Sequence, residues 1–342
     1  MSHLINTQSL LQANDDILLC DVRSPIEYQK GHIPLAISLP LFSDEERKTI
    51  GILYKNEGSR AAFCKGLAFV GPKMHTLVER VSSLAEKKRR VVIYCARGGK
   101  RSESVHWLLQ QSGQQDVYRL EGGYQQFRNF MLGILQRKYP TTVLSGLTGV
   151  GKTKILRVLH RMGRQCIDLE KIACHRGSAF GGYPNMEQPT QQLFENELAI
   201  NLFQHRKSEE VVFVEDESKS IGKCYFPPLF FSQNIKEASV IHLTCSIEQR
   251  IFNLMEEYGS VERHELLNAL YKLEKRLGRE KVEKISNYIQ CNDLYTAIRY
   301  ILDYYDHKYT YNQNKRHIVF QMDVTGMCAD EVAEEINRRM EN

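Results

Sequence analysis

Thr141-Thr142-Val143-Leu144-Ser145-Gly146-Leu147-Thr148-Gly149-Val150-Gly151-Lys152-Thr153 is the stretch that decides how this chain folds. A short apolar run enters a glycine-rich turn whose last eight residues satisfy G-x-x-x-x-G-K-[ST] in full. The run predicts a buried strand, and Lys152 to Met162 predicts a helix. A phosphate-binding loop needs that order. The glycines let backbone amides approach an anion, and the helix N-terminus adds partial positive charge. Gly146, Gly149, Gly151, Lys152 and Thr153 are the expected phosphate contacts. Lys152 would neutralise a diphosphate, and Thr153 would ligate Mg2+. The motif names no nucleotide.

Downstream, Val211-Val212-Phe213-Val214 predicts another buried strand, and it runs into Glu215-Asp216-Glu217. Acids at a strand end near a phosphate loop hold Mg2+ or a water. Asp216, or its neighbour Glu215, is therefore the second expected metal ligand. Ser239 to Thr244 predicts a further strand. His175-Arg176-Gly177-Ser178-Ala179-Phe180-Gly181-Gly182 combines a cation with small residues. It makes Arg176 and Ser178 candidate phosphate or lid residues, against the plainer reading of an ordinary loop. Thr190 is placed to cap a helix. From Ile247 to Asp306 the pattern turns helical and charged. Arg250, Lys272, Lys275, Arg276, Arg279 and Lys281 lie there among acids, which favours a solvated surface over a nucleic-acid face. Tyr304, Tyr305, Tyr309 and Tyr311 are read as core.

Upstream, Ile17 to Val22, Val91 to Tyr94 and Val117 to Leu120 predict strands, with helices over Met74–Lys88 and Ser102–Gln111 between them. Strands alternating with helices argue for a parallel α/β sheet. A helix over Phe127–Arg137 followed by Pro140 marks a boundary. The expected organisation is a domain over 1–138, a phosphate-binding domain over 139–250 and a mainly helical extension over 251–342.

Directly after Val91–Tyr94 comes Cys95-Ala96-Arg97-Gly98-Gly99-Lys100-Arg101-Ser102. A thiol at a strand-to-helix turn meets backbone N–H groups and the positive end of the helix. Cys95 is thus the expected nucleophile. Arg97, Gly98, Gly99, Lys100 and Arg101 form the expected anion-binding loop around it.

The 342 residues suit about two domains. Nine cysteines, an odd number with no CxxC pair, argue against a disulfide framework or a zinc ribbon. The N-terminus has no secretory pattern and no apolar run is long enough to span a bilayer, so the expected compartment is the cytoplasm. Residues 1–138 carry 20 Lys+Arg against 13 Asp+Glu, a net +7, while residues 139–342 carry 26 against 28, a net −2. The basic half suits a polyanion such as RNA, or simply a soluble surface. No oligomeric state is assigned.

The first ~135 residues resemble a rhodanese domain. The resemblance rests on Asp21-Val22-Arg23-Ser24-Pro25-Ile26-Glu27-Tyr28, Gly31-His32-Ile33-Pro34 and Leu120-Glu121-Gly122-Gly123-Tyr124. It implies that Cys95 carries a chalcogen. Five residues separate Cys95 from Arg101, one more than the common CxxGxRS loop, and that wider spacing is shared with cysteine-dependent phosphatases. A wider loop suits a tetrahedral anion, either phosphate or selenophosphate. Read with GLTGVGKT, HRGSAFGG, QPTQQLFEN and VEDESKSIG, nearly the whole chain resembles the tRNA 2-selenouridine synthase family. The fold so implied is α/β: a rhodanese-like domain plus a P-loop NTPase-like parallel-sheet domain with a helical C-terminal extension. Ala96 stands where that family usually has an aromatic residue, and Lys100 where it often has Met; the nucleophile and glycines are intact.

The resemblance implies a selenotransferase that replaces sulfur in wobble 2-thiouridine of tRNA. Selenophosphate is the donor, and geranyl diphosphate alkylates the sulfur first. No tightly bound cofactor and no membrane are implied; Mg2+ accompanies the diphosphate. Taken alone, the residues also allow a cysteine-dependent phosphatase, a sulfurtransferase relay with a regulatory nucleotide-binding domain, or a kinase fused to a rhodanese.

Overall fold

Short β-branched runs and amphipathic helices assemble into two parallel sheets in a computed structural model. It describes residues 3–13, 16–85, 90–175, 187–205, 210–259, 261–309 and 316–341. The chain divides into two compact units. One comprises Met1–Ile134 with Thr190–Ile200, the other Leu135–Pro189 with Asn201–Asn342.

The first unit holds β1 (Leu4–Ile5), β2 (Ile17–Asp21), β3 (Ile37–Ser38), β4 (Arg90–Tyr94) and β5 (Val117–Leu120). Their order is β1-β5-β4-β2-β3, and every pairing is parallel. A parallel sheet is covered on both faces, so its central strand is apolar throughout. Accordingly Val91, Val92, Ile93 and Tyr94 of β4 are fully buried. Leu18, Val22, Val81, Val105 and Leu109 pack against that strand in one core. Helix Lys100–Gln111 leaves β4 through the cysteine loop. Helix Asp44–Asn56 has no strong apolar periodicity to announce it. Its start is nonetheless written as a capping box in which Ser43 accepts from the Glu46 N–H and Glu46 accepts from the Ser43 N–H.

The second unit holds β6 (Thr141–Gly146), β7 (Gln165–Ile167), β8 (Val212–Glu215), the short antiparallel pair β9 (Ser220–Ile221) and β10 (Cys224–Tyr225), β11 (Ser239–Thr244) and β12 (Ile318–Asp323). The large sheet runs β12-β11-β6-β8-β7, again all parallel. Helices from Ile247 to Tyr309 bury a separate apolar cluster that includes Ile251, Leu270, Ile285 and Leu302. The C-terminal region is mainly helical and adds one strand, β12, which joins β11 in parallel. Helix Ala329–Glu341 then packs Val332, Ala333 and Ile336 into the core shared with helix Lys152–Arg161. All nine cysteines are free thiols. No helix among the described residues is long and apolar enough to cross a membrane.

Candidate active sites: a cysteine loop and a phosphate loop

β4 is the middle strand of its sheet, so the loop after it opens at the carboxyl ends of three neighbouring strands. Cys95 is only 3% exposed. Its Sγ lies 3.3 Å from the Ser102 hydroxyl and 3.8 Å from the Gly99 carbonyl. The Ser102 hydroxyl in turn donates to the Gly99 carbonyl at 3.1 Å. The sulfur thus faces a carbonyl and a hydroxyl. No backbone N–H bonds to Sγ among the described residues.

The glycines are demanded by close approach. Gly98 adopts φ +66°, and a Cβ there would lie 3.1 Å from the Gly122 nitrogen. A Cβ on Gly123 would fall 2.3 Å from the Cys95 carbonyl oxygen and 2.5 Å from the Gly98 nitrogen. The cysteine loop therefore lies directly on the Gly122-Gly123 turn. It is fastened there by the Tyr124 and Gln125 N–H groups, which donate to the Cys95 and Ala96 carbonyls at 2.9 Å each.

The charged residues of the loop separate. Arg101 is committed to Glu27 through bonds of 2.6 and 3.2 Å. Burial works to raise the Glu27 carboxyl, but Arg101, the Ser24 N–H and Arg47 hold it down at about 2. Lys100 pairs with Glu103 on the exposed helix surface at 3.2 Å. Arg97 is exposed and donates to Gln125 at 3.1 Å. The sequence expectation that all three cations surround the thiol is thus corrected. Lys100 begins the helix and points along its outer face, and Arg101 braces the loop through Glu27.

Beneath this loop is a buried polar network that sequence reasoning missed. Arg23 bonds both Asp21 oxygens at 2.6 to 3.0 Å and the Gly31 carbonyl at 2.6 Å, and its guanidinium lies 4.0 Å from the Tyr124 ring centre. The Tyr124 hydroxyl donates to Gln192 at 3.1 Å and accepts from Asn196 at 3.1 Å. Asn196 also donates to the His32 carbonyl and accepts from Arg128, which pairs with Glu195. Gly31 is required because a Cβ there would meet Gln192 at 2.6 Å. The QQLFEN block thus serves as an anchor in the first unit; Gly31 and the buried Asp21–Arg23 pair were its readable signals.

In the second unit, β6 ends at Gly146, and the loop turns through Gly149 (φ +86°) and Gly151 (φ +95°) into helix Lys152–Arg161. Its carbonyls are tied outward. The Arg250 Nε donates to the Thr148 carbonyl and the Asn253 amide to the Gly149 carbonyl, both at 2.8 Å. Carbonyls held this way leave the N–H groups of the turn and first helical turn to face an anion. Arg250 is itself buried and paired with Asp306 at 2.7 and 2.8 Å. It supports the loop and is not available to a nucleic acid. Lys152 donates to the Gly146 carbonyl at 2.8 Å. The Thr153 hydroxyl donates to Glu170 at 3.1 Å.

The acids after β8 divide by strand alternation, since successive side chains point to opposite faces. Glu215 is fully buried, and its Oε2 lies 3.4 Å from the Glu170 N–H. Asp216 points elsewhere, accepting from Ser145 at 2.6 Å and pairing with Arg316. The expected metal pair of Thr153 and Asp216 is corrected accordingly: the carboxylates beside Thr153 and Lys152 are Glu170, Glu215 and Glu217. Burial, then mutual repulsion, pushes all three up to about 8, against the pull of Lys152 on Glu170 and Glu217. Among the described residues the Glu215 Oε1 is buried without a hydrogen-bond partner. An all-oxygen set with an unused carboxylate oxygen fits Mg2+, which binds through one or two carboxylates plus phosphate and water. Among the described residues no group of three or more His, Cys, Asp and Glu could by itself hold a metal ion.

Beside the loop opens a pocket of about 340 Å³ walled by Val150, Ile155, Phe252, Val324, Met327 and Val332. Its polar rim is internally paired, Lys154 with Glu256 at 2.7 Å and Gln249 with Asn253 at 3.2 Å. Tyr304 and Tyr305 pack on the helical core, as read from sequence. Arg176, Ser178 and Tyr311 lie outside the described residues, as does the side chain of Tyr309.

Fold and sites together define a rhodanese-like domain joined to a P-loop NTPase-like domain. Residues 6–130 match the rhodanese-like domain family, and residues 139–339 match the family described as tRNA 2-selenouridine synthase AAA domain. The chain is 31% identical to the tRNA 2-selenouridine synthase of Nitrosomonas europaea, over 89% of this chain and 91% of that one. It is 33% identical to that of Shewanella loihica (90% and 91% covered) and 34% to that of Hydrogenovibrio crunogenus (88% and 90%). The chain belongs to the tRNA 2-selenouridine synthase family of tRNA-modifying transferases.

Proposed function

We propose that this enzyme converts 2-thiouridine at the wobble position of tRNA to 2-selenouridine in the cytoplasm, with selenophosphate as donor and an S-geranyl intermediate made from geranyl diphosphate. The observation that carries the reading is the pairing, in one chain, of a buried cysteine loop with a P-loop beside a pocket that has apolar walls and a polar rim. The walls suit the hydrocarbon body of an allylic diphosphate, and the rim groups Lys154 with Glu256 and Gln249 with Asn253 are engaged with each other.

In the first half-reaction the diphosphate sits on the P-loop amides. The thiouridine sulfur attacks C1 of the geranyl group while the C1–O bond breaks, and the diphosphate leaves with the electron pair. Lys152 turns from the Gly146 carbonyl to the departing charge, which the helix N–H groups also stabilise. Thr153 with Glu170 or Glu215 would hold Mg2+, which would supply further positive charge to the leaving group. S-alkylation makes the sulfur a better leaving group: in the second half-reaction the selenium of selenophosphate attacks C2, geranylthiolate leaves with the electron pair of the C2–S bond, and water cleaves the P–Se bond to release phosphate. Cys95 and its glycine loop handle the selenium-bearing anion.

Variants separate the halves. Cys95→Ser should lose selenium incorporation and keep geranylation; loss of both in a folded variant contradicts this division. Lys152→Ala should weaken geranyl diphosphate binding about 10- to 100-fold, as loss of a charge-assisted contact does. Unchanged affinity by calorimetry removes the P-loop from that role.

A further inference from the structure

A groove of about 690 Å³ lies in the first unit, lined by Phe42, Arg47, Lys48, Ile50, Gly51, Ile52, Tyr54, Lys55, Arg97 and Arg101. Arg97 and Arg101 belong to the cysteine loop, so the groove borders that loop. Helix Asp44–Asn56 forms its other side.

Three features of this groove serve no packing purpose. First, it gathers five cations. Arg101 and Arg47 share Glu27, but Lys48 and Lys55 are exposed and form no ion pair among the described residues. Arg97 has only the neutral Gln125. The three acids that open the helix are engaged at its far end: Asp44 by the Ile26 N–H, Glu45 by the Ser43 hydroxyl and Glu46 by Lys73. Second, large apolar side chains stand in water here, with Ile52 50% and Tyr54 62% exposed. Third, Gly51 interrupts the helix interior, where glycine costs about 1 kcal/mol against alanine. A Cβ there would meet nothing but the Arg47 guanidinium, at 3.1 Å. Glycine therefore keeps the floor low and answers no packing need.

Unpaired cations beside exposed aromatic and aliphatic faces are the requirements of a single-stranded nucleic acid, whose phosphates need charge and whose bases need a stacking surface. We propose that this groove seats the anticodon loop of the tRNA, with Lys48 and Lys55 on its phosphates and Tyr54 stacking a splayed base, and so delivers the wobble nucleotide to Cys95. The proposal rests on the tRNA reading above and fixes where the RNA lies.

The test is tRNA affinity by fluorescence anisotropy across a salt series, using full-length protein. Wild type is compared with Lys48→Ala/Lys55→Ala, with Tyr54→Ala and with Lys272→Ala/Lys275→Ala, which removes two exposed lysines of the helical region. All are surface positions, and matched thermal unfolding confirms the fold. The groove variant should bind at least about 10-fold more weakly at low salt. Its log–log salt slope should shrink by about 1.4 to 1.8, the loss of two phosphate contacts. Tyr54→Ala should weaken binding with no change in slope. Wild-type slope and affinity in Lys48→Ala/Lys55→Ala, with tRNA still bound, overturns the groove and leaves the enzyme's function standing. So does a slope that falls only in the Lys272/Lys275 variant. A wild-type protein that binds no tRNA overturns both.

Discussion

Glycine 123 shows how tightly single residues are specified around Cys95. Its φ of +59°, and the 2.3 Å at which a Cβ would meet the Cys95 carbonyl oxygen, leave no room for a side chain. Gly123→Ala should destabilise the first unit by about 2–4 kcal/mol, the range for combined clash and backbone strain. Chemical denaturation would check this, and a loss under about 0.5 kcal/mol, the scatter of ordinary surface substitutions, would mean that the loop is not clamped as described. The Tyr124 hydroxyl is the complementary case. It makes two buried hydrogen bonds, so Tyr124→Phe should cost about 1–3 kcal/mol, because Asn196 and Gln192 are left short of a partner.

At the scale of elements, the acids around the P-loop give a pH signature. Glu170, Glu215 and Glu217 lie near 8 in the folded protein, against an ordinary carboxyl near 4.5. Between those values the folded state binds more protons than the unfolded one. Their contribution to stability therefore falls as pH rises from about 4.5 to 8, and flattens above it. Burial holds His106, His175, His205 and His242 below their ordinary value of 6.5, which acts with the opposite sign below about 6.5, so the unfolding temperature of the metal-free protein should fall between about 6.5 and 8. Glu215→Gln should flatten the profile, and Mg2+ with diphosphate should restore stability at about pH 8. A wild-type profile that is level across the same window contradicts the burial of these charges.

What the sequence disclosed at this scale follows from locality. Glycine turns, the β-branched runs at Val91–Tyr94 and Ser239–Thr244, and the start of the helix at Lys152 are written in adjacent residues, and the structure has them there. β12 was missed because a strongly helical, charged stretch precedes it, and its place beside β11 is a long-range pairing. Asp216 was preferred to Glu215 because both are acids, and only strand register decides which one faces Thr153. The pairing of Arg101 with Glu27 spans 74 residues and left no local mark. The helix Asp44–Asn56 was also missed, because its apolar face is sparse; its one local mark is the capping box of Ser43 and Glu46.

At the scale of the whole molecule, the cysteine loop and the phosphate loop each lie at the carboxyl ends of a parallel sheet. In the proposed reaction the intermediate is carried on the tRNA and not on the protein, so the two half-reactions are separable in trans. At geranyl diphosphate concentrations too low for Lys152→Ala to bind it, a mixture of Cys95→Ser and Lys152→Ala proteins should form 2-selenouridine, at a rate that rises with the concentration of each, although neither forms it alone. Nucleoside analysis of the mixture checks this, and no product from two folded proteins would mean that one chain must perform both steps on one bound tRNA.

The most direct test is mass spectrometry of nucleosides from 2-thiouridine-containing tRNA incubated with the wild-type protein and Mg2+, omitting each donor in turn. Geranyl diphosphate alone should give S-geranyl-2-thiouridine, and adding selenophosphate should convert it to 2-selenouridine. Unmodified tRNA from folded protein with a reactive Cys95 would contradict the account.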